Sequence, residues 1–311
     1  MLNAAPIALF AFNRPDLLAR TLTALAANEL ATSSALTIFC DGPRHEGDEA
    51  GTRAVRALAR SVTGFARLEV VERPHNMGCA ASIIDGLTEM FRRHERLIVI
   101  EDDNVTSPHT LRFLNEGLAR YADNEHVFNI SAWTPPNIAR KLPSDYPYDA
   151  YAIPRFNCSG GWASWSDRFL DIDWDVKDYQ TFKASPQRRK SFNAGGEDLS
   201  AMLDAQMEGK LDAWDIRADY ARFTRKMLGI NPVRSYALNI GMGSGTHTTT
   251  PTTRWDSDIS RAPAAPKFPD TVAVDQRIHK LYLMNYRTKR PLLLRIASKL
   301  KRCALRLLAV R

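Results

Sequence analysis

The first hundred residues alternate between short apolar runs and longer segments with helical spacing. Polar residues follow each of four apolar runs of strand length, at residues 6–12, 35–39, 68–71 and 97–101. The intervening segments carry apolar residues three or four positions apart and predict amphipathic helices, at residues 17–25, 52–61 and 80–94. This alternation predicts a parallel sheet with right-handed crossovers. We therefore expect an α/β fold with a mostly parallel central sheet and helices on both faces.

Beyond residue 103 the periodicity weakens. We expect helices at residues 110–121, 198–207 and 215–227, and strands at 127–130 and 236–240. Three other segments show no regular period, and we interpret them as a loop, a mobile polar loop and an extended stretch: residues 131–154, 183–196 and 248–274.

Residues 97–103 join a strongly apolar strand to three consecutive acids. Four aliphatic residues are typical of a strand buried on both faces, and Glu101, Asp102 and Asp103 follow directly. Neighbouring carboxylates at a strand end are costly unless a cation binds them, and oxygen ligands suit Mg²⁺ or Mn²⁺. The alternative is a solvated acidic turn before a helix cap at Ser107.

Polar residues also end the other predicted strands, namely Arg14, Asp41 and Asn76. The carboxyl ends of parallel strands meet at one edge of a sheet, where α/β proteins bind nucleotides. We therefore expect these three residues to gather there with Asp103 and to form a nucleotide site.

The net charge of +7 comes from the C-terminal end of the chain. Residues 276–311 contain eleven Lys or Arg and no acid, so the other 31 basic and 35 acidic residues give a net charge of −4. Basic residues confined to a tail do not form a groove with stacking aromatics, so we expect no nucleic-acid partner. The four scattered cysteines, and an N-terminal run that is no signal peptide, favour the reducing cytosol.

Residues 291–311 predict a basic amphipathic helix. Its basic face carries Arg295, Lys299, Arg302 and Arg306, and its opposite face is apolar. Such helices bind the interface of anionic membranes, so we expect a peripheral protein on the inner face of the cell membrane. The alternative is a helix packed on the body of the protein with its basic side in solvent.

Asn13-Arg14, Asp41 and Glu101-Asp102-Asp103 form a pattern that resembles inverting glycosyltransferases of the GT-A fold. The run after Asp103, which includes Val105-Thr-Ser-Pro108 and residues 129–133, extends the likeness. Within that family the chain is most similar to the Golgi N-acetylglucosaminyltransferases of N-glycan maturation and to bacterial relatives that act on surface polysaccharides. The likeness covers residues 6–247.

The resemblance implies that Arg14 and Asp41 hold the uridine of a UDP-sugar. Asn76, or its neighbour His75, falls near another contact to the base. His247 matches the region of a loop that closes over the donor, where it would contact the diphosphate or the metal. A lone histidine is more often structural, so that alternative stays open.

The resemblance also implies a role for each acid after the fourth strand. Asp103 matches the residue that binds Mn²⁺ together with the donor diphosphate. Asp102 matches a position at the ribose or the metal shell, and Glu101 a carboxylate that faces the donor sugar. A divalent ion, Mn²⁺ or Mg²⁺, suits this chemistry because it stabilises the charge on the departing diphosphate.

Inverting transfer needs a general base that deprotonates the acceptor hydroxyl. The family offers the first Asp of a Trp-Asp-Asp-Trp run, which here matches Asp212 or Asp215, depending on which tryptophan is aligned with Trp214. We favour Asp212, and the Glu197-Asp198 pair is a third candidate. Alternatively, all of these are acids that favour the start of a helix.

The segment Gly160-Gly161-Trp162 is a candidate floor for the sugars. Glycines allow close backbone approach, and an indole ring stacks on a sugar face. The alternative is that Trp162 and Trp165 belong to the core.

We expect an inverting glycosyltransferase that transfers a sugar, such as an N-acetylhexosamine, from a UDP-sugar to a saccharide or lipid-linked saccharide in surface polysaccharide synthesis. The catalytic domain would span residues 1–260, with halves at 1–103 and 104–260, before a linker at 261–290 and the tail. Two alternatives are a sugar-phosphate nucleotidyltransferase and a non-catalytic saccharide-binding or scaffolding domain. The absence of glycine from residues 12–15 argues against the first, and the intact acids argue against the second.

Overall fold

The computed structural model describes residues 4–241 and 256–287, in which one eight-stranded and one two-stranded sheet form. The strands are β1 (Ile7–Ala11), β2 (Ala35–Cys40), β3 (Arg67–Glu72), β4 (Arg96–Glu101), β5 (Asn104–Thr106), β6 (Val127–Ser131), β7 (Ala150–Ile153), β8 (Trp162–Trp165), β9 (Leu228–Pro232) and β10 (Ala237–Asn239). The α-helices are α1 (Pro15–Ala26), α2 (Glu49–Ser61), α3 (Cys79–Arg93), α4 (Thr110–Arg120), α5 (Pro136–Ala139), α6 (Ser166–Phe169), α7 (Tyr179–Ala184), α8 (Pro186–Phe192), α9 (Leu199–Met207), α10 (Trp214–Thr224) and α11 (Gln276–Asn285).

The four strands predicted in the first hundred residues pair in parallel in the order β3–β2–β1–β4. Ile7 of β1 lies opposite Leu36 of β2 and Ile98 of β4. Ile7 packs in one core with residues of α1, α2 and α4, whereas its neighbour Ala8 packs in a second core with residues of α3. Helices therefore cover both faces of the sheet, as predicted.

The large sheet continues with strands of both directions, in the complete order β3–β2–β1–β4–β8–β6–β9–β7. β8 is antiparallel to β4 and to β6, β9 is parallel to β6, and β7 is antiparallel to β9. Four of the seven pairings in this sheet are parallel. The prediction of an α/β fold with a mostly parallel sheet is confirmed, and the carboxyl ends of β1, β2, β4, β6 and β9 lie at one edge.

Three strands of the large sheet lie where the sequence predicts no strand. β7 falls in the segment interpreted as a loop, β8 begins at the end of the Gly160-Gly161-Trp162 segment, and β9 directly follows the helix predicted at residues 215–227. All three are only four or five residues long and almost wholly buried, so they lack the alternation that marks a half-buried strand.

The prediction of a mobile loop at residues 183–196 is wrong, because α7 and α8 occupy most of it. Ser185 caps α8 by accepting a hydrogen bond from the Arg188 N–H (3.3 Å), and Pro186 is the first helical residue. Phe182 and Phe192 are buried in the same core. Burial of these two phenylalanines orders the segment. The sequence pattern does not reveal them, because most of the residues between them are polar or charged.

Residues 256–287 pack on the body of the protein, although most of them fall in the segment interpreted as a linker. Phe268 stacks on Phe113 with ring centroids 5.0 Å apart. On α11, Ile278 and Tyr282 are fully buried. The Tyr282 hydroxyl lies 3.0 Å from the Tyr151 hydroxyl and accepts hydrogen bonds from two amides, those of Asn157 (3.1 Å) and Asn231 (3.2 Å).

None of the helices in residues 4–241 and 256–287 is both long and apolar enough to cross a lipid bilayer. The tail predicted at residues 291–311 lies outside the described residues, and so does His247.

Replacing Tyr282 tests how strongly α11 is anchored. We expect Tyr282→Ala to lower the free energy of unfolding by about 3–5 kcal/mol, because it opens a cavity and leaves buried amide donors without an acceptor. The exposed Met284 on the same helix gives the control, since Met284→Ala is expected to change stability by less than about 0.5 kcal/mol. Denaturant unfolding curves measure both. Equal effects of the two substitutions would contradict the described packing of α11.

Candidate active site

The acids predicted to bind a cation lie in a tight, buried turn between β4 and β5. The Asp102 N–H donates to the Phe10 carbonyl (3.0 Å), and the Thr21 hydroxyl donates to the Asp102 carbonyl (2.9 Å). The Asn104 side chain closes the turn, because it accepts from the Glu101 N–H (3.1 Å) and donates to the Asp103 carboxylate (2.9 Å). The turn that carries the three acids is therefore fixed by hydrogen bonds to β1, α1 and Asn104.

Arg14 reaches the acids from the turn between β1 and α1. Its guanidinium forms a two-point ion pair with Asp102 and lies 3.1 Å from an oxygen of Asp103. Burial alone would lower the pKa of Arg14, but the charges of Asp102 and Asp103 raise it overall. The predicted proximity of Arg14 to Asp103 is thus a direct contact in the structure, and Asp102 joins it.

One guanidinium does not neutralise three carboxylates. Burial raises the pKa of Glu101 to about 8, and the charges of Asp103, Asp102 and Asp215 add to this shift. Burial also raises the pKa of Asp102 to about 6, even though Arg14 opposes the shift, and the pKa of Asp103 rises for the same reason. Excess negative charge among oxygen donors is a setting that a hard divalent cation fits.

Asp103 is held by three neighbouring side chains, those of Arg14, Asn104 and Asn239. Its oxygens accept hydrogen bonds from Asn104 and from Asn239 of β10 (3.0 Å), and one of them faces Gly241. A Cβ at position 241 would lie 2.1 Å from that oxygen, so any larger residue there would displace the Asp103 carboxylate. Within the described residues no set of three or more His, Cys, Asp or Glu is arranged to hold a metal.

Asp41 and Asn76 lie at the same edge of the sheet, beyond β1. Asp41 accepts hydrogen bonds from the Gly42 N–H (2.9 Å), the Met77 N–H (3.0 Å) and the Asn76 amide (3.0 Å). The second hydrogen of the Asn76 amide goes to the Gly42 carbonyl (3.0 Å). Burial raises the pKa of Asp41. These contacts join the loop after β3 to the end of β2 and give the edge a fixed polar wall.

Asp212 lies just before α10, and Asp215 lies in its first turn. Asp212 accepts a hydrogen bond from the Ala80 N–H (3.4 Å) at the start of α3. Asp215 lies in the first turn of α10, 4.0 Å from the Cys158 sulfur, and its charge contributes to the raised pKa of Glu101. Burial raises the pKa of Cys79 to about 12, and Glu101, Asp212 and Asp215 all add to that shift. All three carboxylates therefore act electrostatically on Cys79 at the start of α3.

The third candidate base, Asp198, has a different setting. Its two oxygens accept hydrogen bonds from Arg155 at 2.9 Å each, and the Arg155 guanidinium stacks on Tyr286 at 3.8 Å from the ring centroid. Its neighbour Glu197 lies 3.6 Å from Arg287. Asp198 is thus held in a structural ion pair.

Trp162 belongs to the core and not to an open sugar platform. It is 1% exposed and stacks on Trp214, with ring centroids 5.6 Å apart. Gly161, with a φ of +91°, packs against Ile100 and the backbone of β4. The alternative that this segment is core is the one that the structure supports.

The sequence prediction misses two site residues, Asn104 and Asn239. Asn104 directly follows the acids, and this adjacency is a signal that could have found it. Asn239 reaches Asp103 only because β10 pairs with β5, with Asn239 opposite Asn104. That pairing joins residues 135 positions apart, and no local pattern indicates it.

Comparisons with known proteins give partial likenesses of structure only. No model of a known protein family matches the chain, and no curated protein sequence is similar to it. Among solved structures, the chain is similar to the mannosyltransferase PcManGT from Pyrobaculum calidifontis in complex with GDP-Man and Mn²⁺, with 18% identity and a TM-score of 0.38. It is also similar to TarS of S. aureus, with 12% identity and a TM-score of 0.41.

These likenesses cover 52% and 75% of this chain but only 44% and 36% of the two solved chains, respectively. The chain therefore spans less than half the length of either. Overlaps this limited carry no argument on donor, acceptor or metal, for which we rely on the site itself.

Replacing Glu101 tests the crowding of negative charge. Since the folded-state pKa of about 8 lies above the ordinary value of 4.5, folded protein keeps a proton that unfolded protein has lost. Stability due to this group is therefore present below pH 4.5 and lost as the pH rises towards 8.

We expect Glu101→Gln, which cannot ionise, to gain stability relative to the unmodified protein as the pH rises from about 5 to about 8. Urea unfolding at several pH values measures this difference, and Glu46→Gln at an exposed position is the control. A constant difference between Glu101→Gln and the unmodified protein across this range would refute the raised pKa.

Proposed function

We propose that the chain is an inverting glycosyltransferase of the GT-A type that takes a UDP-sugar and requires Mn²⁺ or Mg²⁺. The observation that carries the proposal is the buried excess of carboxylates at the carboxyl end of β4. Arg14 forms ion pairs with two of them, the charge of Asp215 acts on Glu101, and Asp212 acts with both on Cys79. Such a site can bind a cation with a diphosphate and can also accept a proton, and sugar transfer from a nucleotide needs both.

In this proposal the nucleotide lies along the ends of β1 and β2. Asp41 contacts the base, and Asn76 fixes the loop that bounds it, in keeping with their mutual hydrogen bond. Arg14 orients Asp102 towards the ribose and contacts the uridine diphosphate. The exposed fraction of the Arg14 side chain, 27%, leaves part of the guanidinium accessible to a ligand.

Asp103 is the proposed protein ligand of the metal, together with oxygens of the donor diphosphate. The metal, when bound, stabilises the negative charge of the departing diphosphate. Asn104 and Asn239 hold the Asp103 carboxylate in place through their amides. Glu101 faces the donor sugar. His247, which lies outside the described residues, remains a proposed contact to the diphosphate or the metal.

We propose Asp215 as the general base and Asp212 as its alternative, whereas the sequence alone favours Asp212. Asp215 interacts electrostatically with Glu101, the residue proposed to face the sugar. Asp212 is instead engaged with the backbone at the start of α3. A base beside a second carboxylate holds a proton more readily, which favours deprotonation of an acceptor hydroxyl.

The proposed acceptor is a saccharide or a lipid-linked saccharide at the inner face of the cell membrane, and the proposed donor sugar is an N-acetylhexosamine. The basic composition of residues 276–311 supports attachment to an anionic membrane surface. Sugar transfer at a membrane surface fits the synthesis of surface polysaccharides.

Replacing Asp103 tests the metal assignment. We expect Asp103→Asn to weaken UDP binding in the presence of Mn²⁺ by roughly 100-fold, a loss typical of damaged metal sites, and to change metal-free UDP binding little. Titration calorimetry measures both affinities, and Asp123→Asn at an exposed position is the matched control. Unchanged Mn²⁺-dependent affinity in Asp103→Asn would mean that the metal is held elsewhere.

Replacing the two candidate bases one at a time separates their roles. We expect Asp215→Asn to lower transfer by roughly 100- to 10,000-fold, the range for loss of a general base, with UDP affinity retained. Asp212→Asn should lower transfer much less. Single-turnover transfer rates and UDP affinities of the two variants distinguish the candidates. A larger loss of transfer in Asp212→Asn than in Asp215→Asn would make Asp212 the base.

A further inference from the structure

A cavity of ligand-binding size lies apart from the acids of the candidate active site. It has a volume of about 600 Å³, within the usual range of roughly 300–1,000 Å³ for ligand pockets. Its walls are the segment from α5 to β7, the turn between β9 and β10, and residues 256–261. None of the residues proposed above for catalysis or donor binding lines it.

The cavity is connected to the acids through β10. Ser235, in its wall, accepts a hydrogen bond from the Thr134 N–H (3.1 Å) just beyond β6. Four residues later, Asn239 donates to Asp103 (3.0 Å). At roughly 3.3 Å per residue of extended chain, Ser235 and Asn239 lie at most about 13 Å apart. An oligosaccharide is long enough to bridge that span.

The cavity is lined by equal numbers of positively charged hydrogen-bond donors and negatively charged hydrogen-bond acceptors. Its charged residues are three arginines and three aspartates: Arg140, Arg234, Arg261, Asp149, Asp256 and Asp258. Arg234 and Arg261 are exposed and form no ion pair within 4 Å in the described part of the chain. Their charges contribute, after the hydrogen bonds from Ser260, to the lowered pKa of Asp258. Sugar hydroxyls both donate and accept, so they can use guanidinium and carboxylate groups side by side, whereas an ionic ligand gains no net attraction.

Two tyrosines give the cavity an apolar surface. The rings of Tyr146 and Tyr148 lie edge to face, with centroids 5.8 Å apart. The Tyr146 hydroxyl donates to the Ala150 carbonyl (3.1 Å), and the Lys267 ammonium lies 5.3 Å from the Tyr148 ring centroid. Aromatic rings held in this way pack against the C–H faces of sugar rings at little entropic cost.

We propose that this cavity binds a neutral oligosaccharide, the acceptor, at sugar units remote from the hydroxyl that reacts. This inference rests on the proposed function and adds to it the class of the acceptor. Binding away from the acids would select acceptors by length and by lack of charge, and would position the terminal sugar near Asp215.

The test removes two hydrogen-bond donors that no ion pair within the described residues holds, in the double variant Arg234→Ala, Arg261→Ala. The control is Arg67→Ala, an exposed arginine of β3 at the far end of the sheet. Saturation-transfer difference NMR measures binding of neutral hexose and N-acetylhexosamine trisaccharides and of a matching trisaccharide with a uronic acid. A thermal unfolding curve of each variant verifies its fold.

We expect the neutral trisaccharides to bind the unmodified protein and the control with equal affinity. Their affinity for the double variant should be lower by a factor of roughly ten or more, because two hydrogen bonds are lost. Undiminished binding to the double variant, preference for the acidic trisaccharide, or no binding at all would overturn the inference. A parallel titration with UDP and Mn²⁺ separates the two proposals. If UDP fails to bind while the trisaccharides behave as expected, the donor site is wrong and the saccharide cavity stands.

Discussion

The ion pairs of Arg14 with Asp102 and Asp103 join segments that are distant in sequence at one point of the fold. Arg14 belongs to the turn after β1, and the acids to the turn after β4. Thr21 of α1 binds the same turn, and Asn239 brings β10 to Asp103. Removing one partner of such a buried pair leaves an uncompensated charge, which costs far more than the pair itself contributes. The edge of the sheet is therefore organised around charge that the protein does not fully neutralise.

That incomplete neutralisation links the structure to the proposed chemistry. The pKa values of Glu101 and Asp102 are raised because burial separates them from water and one guanidinium serves three acids. A cation bound with a diphosphate would relieve this repulsion. The same repulsion that lowers the stability of the free protein would therefore favour binding of the ligand. The nearby Asp215 adds to the negative charge and has the setting of a proton acceptor.

Much of the first half of the chain follows from local pattern. Strands β1 to β4 and helices α1 to α3 lie within about three residues of their predicted bounds, because each has a continuous apolar run or a clear helical period. The meeting of Arg14 with the acids follows from the same pattern, since parallel strands end at one edge. Local pattern predicts much less of the second half, because β7, β8 and β9 are short buried strands. In α8, the buried Phe192 follows a run of charged residues, so the segment shows no helical period.

The remaining site contacts depend on tertiary packing. Asp212 contacts the start of α3, and the charge of Asp215 acts on Glu101, because α10 packs against α3. Trp162 is core because it stacks on Trp214. Neither arrangement has a local signature. Sequence alone therefore limits the candidates for the proposed general base to a few acids. The three-dimensional surroundings of each acid are needed to rank these candidates.

The most direct test of the proposed nucleotide-sugar site is the thermal unfolding of the full chain with nucleoside diphosphates, with and without Mn²⁺. UDP together with Mn²⁺ should raise the unfolding midpoint more than either alone, with a stabilisation of about 2.7 kcal/mol when the ligand is at roughly 100 times its Kd. An unfolding midpoint that no nucleoside diphosphate changes, with or without Mn²⁺, would contradict a nucleotide-sugar site at the end of β4.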